Sequence, residues 1–285
     1  MVRSVPLQTR MVAALALSLV GYGALVGIVV MLLPPQLAVI VGCALVAALV
    51  VVVHEADRIA YLLTSAVSID HDQHPTAYRT LHRLAQQAGI ATPALAVIPS
   101  DEPNALTAGR GDRAVVCVTL GLLKAFDDDE LEAVLAHEIA HVSNGDSAVM
   151  TVASFPATVG AVLLSLSRRA FDWKALVLGY MFVPIYLAVV SLPLLLASLP
   201  GTVVLSRSRE YAADRAAATL TGDPTTLALA LGKLHDADTP PETDLRAVAG
   251  LSAFAIVPPA SSLLPLSLHP PTAERIRRLK AMAEE

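Results

Sequence analysis

Residues 137–141 read His-Glu-Ile-Ala-His. Two histidines four positions apart project from the same face of a helix. Their imidazoles can therefore reach one Zn²⁺, at about 2.0–2.1 Å each. Glu138 lies one step round the helix, where it can meet a metal-bound water without becoming a ligand. Zinc lowers the pKa of such a water to roughly 7. A carboxylate there can take the water's proton and pass it to a leaving amine, which is the general-base role of a zinc peptidase. The competing reading is a helix with two surface histidines and a chance glutamate.

A catalytic zinc needs a third protein ligand and one open position. Residues 210–214, Glu-Tyr-Ala-Ala-Asp, offer two carboxylates four apart on a helical pattern. Glu210 can be the third ligand. Asp214 can accept the other ring N–H of a ligating histidine and so fix its tautomer. Taken alone the pair is also compatible with an ordinary solvated helix face. Its weight comes from following a charge-free stretch in a chain that already carries the histidine motif. Further on, His269 precedes Pro270-Pro271 and a basic helical pattern from Thr272. A histidine beside zinc can donate to the oxyanion of a tetrahedral intermediate. By itself, a loop histidine before a surface helix is the simpler reading.

These groups must be held by elements, and the composition says which kind. The chain has 285 residues, of which 55% are hydrophobic and only 16% charged. A soluble domain is nearer a quarter charged. No Asp, Glu, Lys or Arg occurs in 11–53, 147–167 or 175–206. About 20 apolar residues cross a bilayer core. The first stretch suits two crossings split by Pro34-Pro35, the second suits one, and the third suits one long or tilted crossing. The apolar run resumes after the prolines, which argues against a cleaved signal peptide. Four parts follow: a transmembrane hairpin at 1–53, a polar part at 54–146 with the histidine motif, a second hairpin at 147–206, and a polar part at 207–285.

In the first polar part, residues 74–88 carry apolar side chains at helical spacing, and Ala94–Ile98 reads as a short strand. Residues 104–108 and 114–119 flank a Gly-rich turn, a hairpin pattern. Asp127 and Glu130 form a capping box for the helix bearing the histidines, and Gly145 can end it. Residues 236–270 are Pro-rich and read as loop.

Arg3 and Arg10 precede the first span, so the N-terminus is expected in the cytoplasm. Residues 54–146 then lie there too. His137, His141 and Glu210 must share one side of the membrane, so 147–206 crosses an even number of times. The basic loop around Arg168-Arg169 would then lie outside, against the positive-inside tendency; a re-entrant hairpin is the alternative. Cys43 and Cys117 fall in a span and a strand, and no disulfide is expected. The net charge of −5 argues against a nucleic-acid partner.

Five segments together resemble the HtpX-type membrane zinc metalloproteases, relatives of the CAAX prenyl endopeptidases. They are NALTAG at 104–109, VTLGLL at 118–123, DDDELEAVLAHEIAHVSNGD at 127–146, SRSREYAADRAAATLTGDP at 206–224 and HPPTAERIRRLKAM at 269–282. The resemblance implies a multi-pass α-helical membrane protein with an α+β zincin-type (gluzincin) catalytic domain. It implies one Zn²⁺ on His137, His141 and Glu210, and Glu138 as base. It further implies Asp214 behind a ligand, His269 steadying the oxyanion and Arg275 bracing the site. Asn104 and Ala105 would lie on an edge strand, where an extended peptide can add by main-chain pairing. Partners would then be the lipid bilayer and unfolded or membrane-protein substrates. The expected role is quality control at the cytoplasmic face of the plasma membrane. A sensor-protease releasing a signal from one specific partner is the alternative. A prenyl-processing enzyme would need a larger intramembrane chamber than four spans build. An inactive zinc scaffold would not require Glu138.

Overall fold

The computed structural model describes residues 7–70, 72–171, 179, 181–236 and 269–284. Residues 237–268 of the expected loop, the segment 172–178 and residues 1–6 lie outside them. Two long helices open the chain, α1 (Leu7–Leu32) and α2 (Pro35–His54). The break falls at the two prolines. Pro34 holds an extended conformation (φ −56°, ψ 149°), and Pro35 occupies the first turn of α2, where its missing N–H has no helical partner to lose.

A short helix α3 (Ala56–Thr64) leads into the polar part. There follow β1 (Val67–Ser68), α4 (Pro75–Gln87), β2 (Ala94–Ile98), β3 (Ala105–Ala108), β4 (Val115–Thr119), α5 (Leu120–Ala125) and α6 (Asp128–Ser143). The four strands form one sheet in the order β1-β2-β4-β3. β2 and β4 are parallel, and β3 returns antiparallel on β4, pairing Ala105 with Val118 and Ala108 with Val115. Strand alternation sends Val116 and Val118 to one face and Val115 and Cys117 to the other. The first face packs on α4 and α6. The second packs on Ala60 of α3. Arg113, in the turn after β3, reaches Asp57 of α3 through Nη2 at 2.7 Å and so ties the hairpin to the segment leaving the membrane.

The chain then re-enters the apolar layer as α7 (Asp146–Ala170) and returns as α8 (Phe182–Thr221). At 1.5 Å per residue α7 is about 37 Å long and α8 about 60 Å, against a hydrocarbon core of about 30 Å. By length and hydropathy α2, α7 and α8 each suffice to cross a membrane; the described apolar part of α1, Ala16–Leu32, is shorter. Buried residues make up 61% of the apolar window of α7 but 6% of that of α2, so α7 sits inside the helix group and α2 at its margin. Small residues let α1 and α8 approach closely: a Cβ on Gly201 would stand 2.7 Å from the Ser18 backbone nitrogen, and one on Gly21 2.5 Å from Ser198 Oγ.

Helix α8 does not stop where the apolar run ends. It continues to Thr221 and is followed by α9 (Pro224–Asp236) and, near the C-terminus, α10 (Thr272–Ala283). One apolar core joins Leu81 of α4, Val116 of β4, Leu135 and Ile139 of α6, Ala217 of α8, Leu227 of α9 and Leu279 of α10. Segments on either side of the second hairpin therefore share a core. Among the described residues the protein is mostly helical with one small mixed sheet, which is the coarse form of the expected fold.

Candidate active site

Helix α6 presents the histidines. Its start is fixed by the capping box: Asp127 accepts from the Glu130 N–H at 2.9 Å, and Glu130 accepts in return from the Asp127 N–H at 3.2 Å. His137 and His141 share one face, with ring centroids 4.7 Å apart and planes nearly perpendicular. Glu210 comes from the part of α8 beyond its apolar run. His137 Nε2 and His141 Nε2 are 3.1 Å apart. Glu210 Oε2 is 3.5 Å from the first, and its Oε1 is 3.8 Å from the second.

The outer nitrogens of both rings face carboxylates. His137 Nδ1 lies 3.2 Å from Asp214 Oδ1, and His141 Nδ1 lies 2.7 Å from Asp146 Oδ2. A carboxylate only accepts, so each Nδ1 carries the proton and each Nε2 turns a lone pair inward. Two lone pairs and a carboxylate thus face one point, an arrangement that calls for a cation. Donors about 2.0–2.1 Å from a tetrahedral ion stand about 3.3 Å apart, close to the spacing found here. The three ligand atoms all lie within 4.8 Å of one another, and the cluster is compatible with a bound metal. His137 responds to the same surroundings. Burial works against its imidazolium, but the hydrogen bonds that Asp214 and Glu210 accept from it outweigh burial and push its pKa up to about 9.

Arg275, on the first turn of α10, is 3% exposed. Its Nε and Nη2 donate to the two oxygens of Asp214 at 2.8 and 2.6 Å, and its Nη1 is 2.9 Å from Glu210 Oε2. Burial disfavours its charge, yet the Glu210 and Asp214 carboxylates hold its pKa above the usual range. Glu138, also 3% exposed, turns towards the sheet, where Thr107 Oγ1 donates to its Oε2 at 2.8 Å. His269 Nδ1 stands 3.3 Å from Glu210 Oε1. The seven residues from 137 to 275 read from the sequence are therefore gathered in one place.

Asn104 and Ala105 are placed differently. Ala105 opens β3 at the sheet's edge, but it is 1% exposed and Asn104 8%. The Asn104 side chain accepts from the Ala105 N–H at 2.9 Å, and the Asn104 N–H donates to Thr119 Oγ1 at 2.8 Å. Their polar groups shape the strand's start. Three contacting residues were not legible. Thr107 could have been suspected as the one hydroxyl in a strand of small apolar residues. Asp146 follows the histidine motif by five positions, across a glycine. Arg209 immediately precedes Glu210, and its role gives no sequence signal.

Membrane-length helices, a small mixed sheet and a buried two-histidine, one-glutamate cluster with a second glutamate beside it define a membrane metalloprotease. The comparisons agree. The model of peptidase family M48 matches residues 72–283, and the chain belongs to that family. It is 37% identical over 243 residues to "Protease HtpX homolog 2" of Methanosarcina mazei, covering 81% of this chain and 80% of that one. It is 37% identical over 244 residues to "Protease HtpX homolog 1" of Streptomyces coelicolor, covering 81% and 78%. Among solved structures, S. mikatae Ste24p is similar over 84% of this chain and 56% of that longer chain, with 19% identity and a TM-score of 0.44.

Proposed function

We propose that this chain is a zinc endopeptidase that hydrolyses peptide bonds in misfolded or damaged membrane proteins at the cytoplasmic face of the plasma membrane. The observation that carries the chemistry is the buried meeting of His137 Nε2, His141 Nε2 and the Glu210 carboxylate, with Glu138 alongside. Those three residues would hold one zinc ion. When bound, zinc supplies Lewis acidity towards water and a peptide carbonyl.

The chain's own groups do the rest. Glu138, with Oε2 engaged by Thr107, keeps its other oxygen for the proton of the attacking water and delivers that proton to the leaving amine. His269 donates to the oxyanion that develops on the carbonyl. Asp214 fixes the His137 tautomer, and Arg275 holds Asp214 and Glu210 against each other's repulsion. An extended peptide adds to β3, the last strand of the described sheet, through main-chain pairing, which suits a substrate defined by being unfolded rather than by sequence. The second hairpin carries Asp146 out of the site and brings Glu210 back. Both ends thus lie on one side, and the lengths of α7 and α8 support two full crossings over a re-entrant hairpin. The closeness of site and bilayer supports membrane proteins as substrates.

The test is cleavage of casein by detergent-purified protein, wild type against Glu138→Gln, with bound zinc measured in each. Stoichiometric zinc in both and a loss of about 10²–10⁴-fold in rate for the variant is expected. Full activity in Glu138→Gln would sink the mechanism. Zinc in both with cleavage in neither would overturn the broad specificity and favour a protease for one partner.

A further inference from the structure

Asp146 touches no reacting group and supplies no ligand, yet it is one of the most buried carboxylates in the molecule, 3% exposed. Its two oxygens are divided between two residues. Oδ2 meets His141 Nδ1 at 2.7 Å, and Oδ1 meets Arg209 Nε at 2.9 Å. Residues five apart on one continuous helix point about 140° away from each other. The contact exists because α6 ends first. Gly145 takes the left-handed conformation, φ +65°, and α7 starts in a new direction with Asp146 in its first turn. There the positive end of the α7 dipole also favours a carboxylate. Arg209 comes from α8, one residue before Glu210.

We propose that Asp146 and Arg209 are positioning residues for His141. Asp146 holds the ring's proton on Nδ1, keeping the Nε2 lone pair on the metal, and Arg209 holds Asp146. The inference rests on the reading of His141 as a metal ligand. Because Asp146 begins α7 and Arg209 sits on α8, the hold on the metal depends on the two membrane helices keeping their relative seating. Metal retention is then a property of the membrane hairpin as well as of α6.

The test follows zinc release from the full-length protein in detergent to an excess of a chromophoric chelator. It compares wild type, Asp146→Asn, Arg209→Met, the double variant and His141→Phe, each checked for native far-UV circular dichroism. Partners that orient a ligand are worth about 10–100-fold in metal affinity. Release from Asp146→Asn should be faster by about that factor, and from Arg209→Met by several-fold. The double variant should release no faster than Asp146→Asn, since Arg209 acts through Asp146. A merely structural pair would not give that pattern. Unchanged release in either single variant, or independent addition in the double, overturns the proposal. If Asp146→Asn does not fold, Arg209→Met alone decides it. His141→Phe separates the two readings. Stoichiometric zinc retained in that variant defeats the ligand assignment itself. Zinc lost there but held normally by Asp146→Asn and Arg209→Met defeats only the positioning role.

Discussion

His137 and His141 point at the same spot from the same helix, but different parts of the molecule hold them. Behind His137 stand Asp214 and Arg275, and behind His141 stand Asp146 and Arg209. The first arm is closed by α10, which packs into the apolar core of the polar part through Leu279. Its arginine also touches Glu210, so it braces two of the three candidate ligands. The second arm is made where α7 begins and where the apolar run of α8 ends. It is more open, with His141 and Arg209 side chains 11% and 14% exposed against 4% for His137 and Arg275. The difference teaches that the two arms share α8 and part at their other ends: α10 in the apolar core completes the hold on His137, and the start of α7 completes the hold on His141.

The sharpest way to break that contrast is to remove the guanidinium of the first arm. Arg275→Met leaves Asp214 and Glu210 buried beside one another without their cation. Removing one partner of a buried ion pair costs about 3–5 kcal/mol. The variant should lose zinc and activity together and melt well below wild type, as read by zinc content and thermal denaturation. The lysine variant keeps the charge but cannot grip both oxygens of Asp214, so it should fall between the two. If Arg275→Met bound zinc normally, the first arm would be ornamental and the site would be held from the membrane side alone.

Thr107→Val sharpens the comparison by touching neither arm. It removes the hydroxyl that donates to Glu138 and keeps the side chain's shape. A hydrogen bond to a charged group contributes about 1.5–3 kcal/mol, so kcat should fall by about 10–100-fold. Zinc content and KM should stay near wild type, and Thr107→Ser should recover most of the rate. A parallel loss of zinc would show that the base and the ligands are not held separately.

The distinction between arms also marks what the sequence could and could not say. The His-Glu-x-x-His spacing is a property of one helix, and so was readable directly, as were the capping box, the β3–β4 hairpin and the charge-free helices. Glu210 and Asp214 were readable as a pair four apart, and the expectation of an even number of crossings rests on their having to meet the histidines. Arg275 and His269 became specific only through resemblance, because Arg275 lies 138 positions from His137 and no local rule links them. Asp146 escaped notice because the contact depends on a change of helix direction at Gly145, not on periodicity. Arg209 escaped because a basic residue after an apolar run reads as a membrane-boundary charge.

A smaller effect tests whether the membrane side transmits to the site. Gly201 lies eight residues before Arg209 on α8, against the Ser18 backbone of α1. Gly201→Leu must push the two helices apart. Overpacking of this kind costs about 1–3 kcal/mol, seen as a lower melting temperature in detergent. Because α8 carries Arg209, Glu210 and Asp214, zinc release should quicken by a few-fold if the seating of α8 reaches the site. If it does not reach the site, stability should drop with zinc release unchanged.

The smallest effect belongs to the element that carries both histidines. Asp127→Ala removes the side chain that accepts from the Glu130 N–H and dismantles the capping box at the start of α6. Loss of such a cap costs typically about 1 kcal/mol. His137 lies ten residues further along, about 15 Å at the helical rise. The helix there is pinned by Leu135 and Ile139 in the core and by both arms. Fraying of the first turn should therefore be absorbed before it reaches the ligands. The melting temperature should fall by a few degrees while zinc release and kcat remain those of wild type. A measurable change in zinc release would mean that α6 moves as a rigid rod. The two arms would then clamp one body instead of independently fixing two histidines.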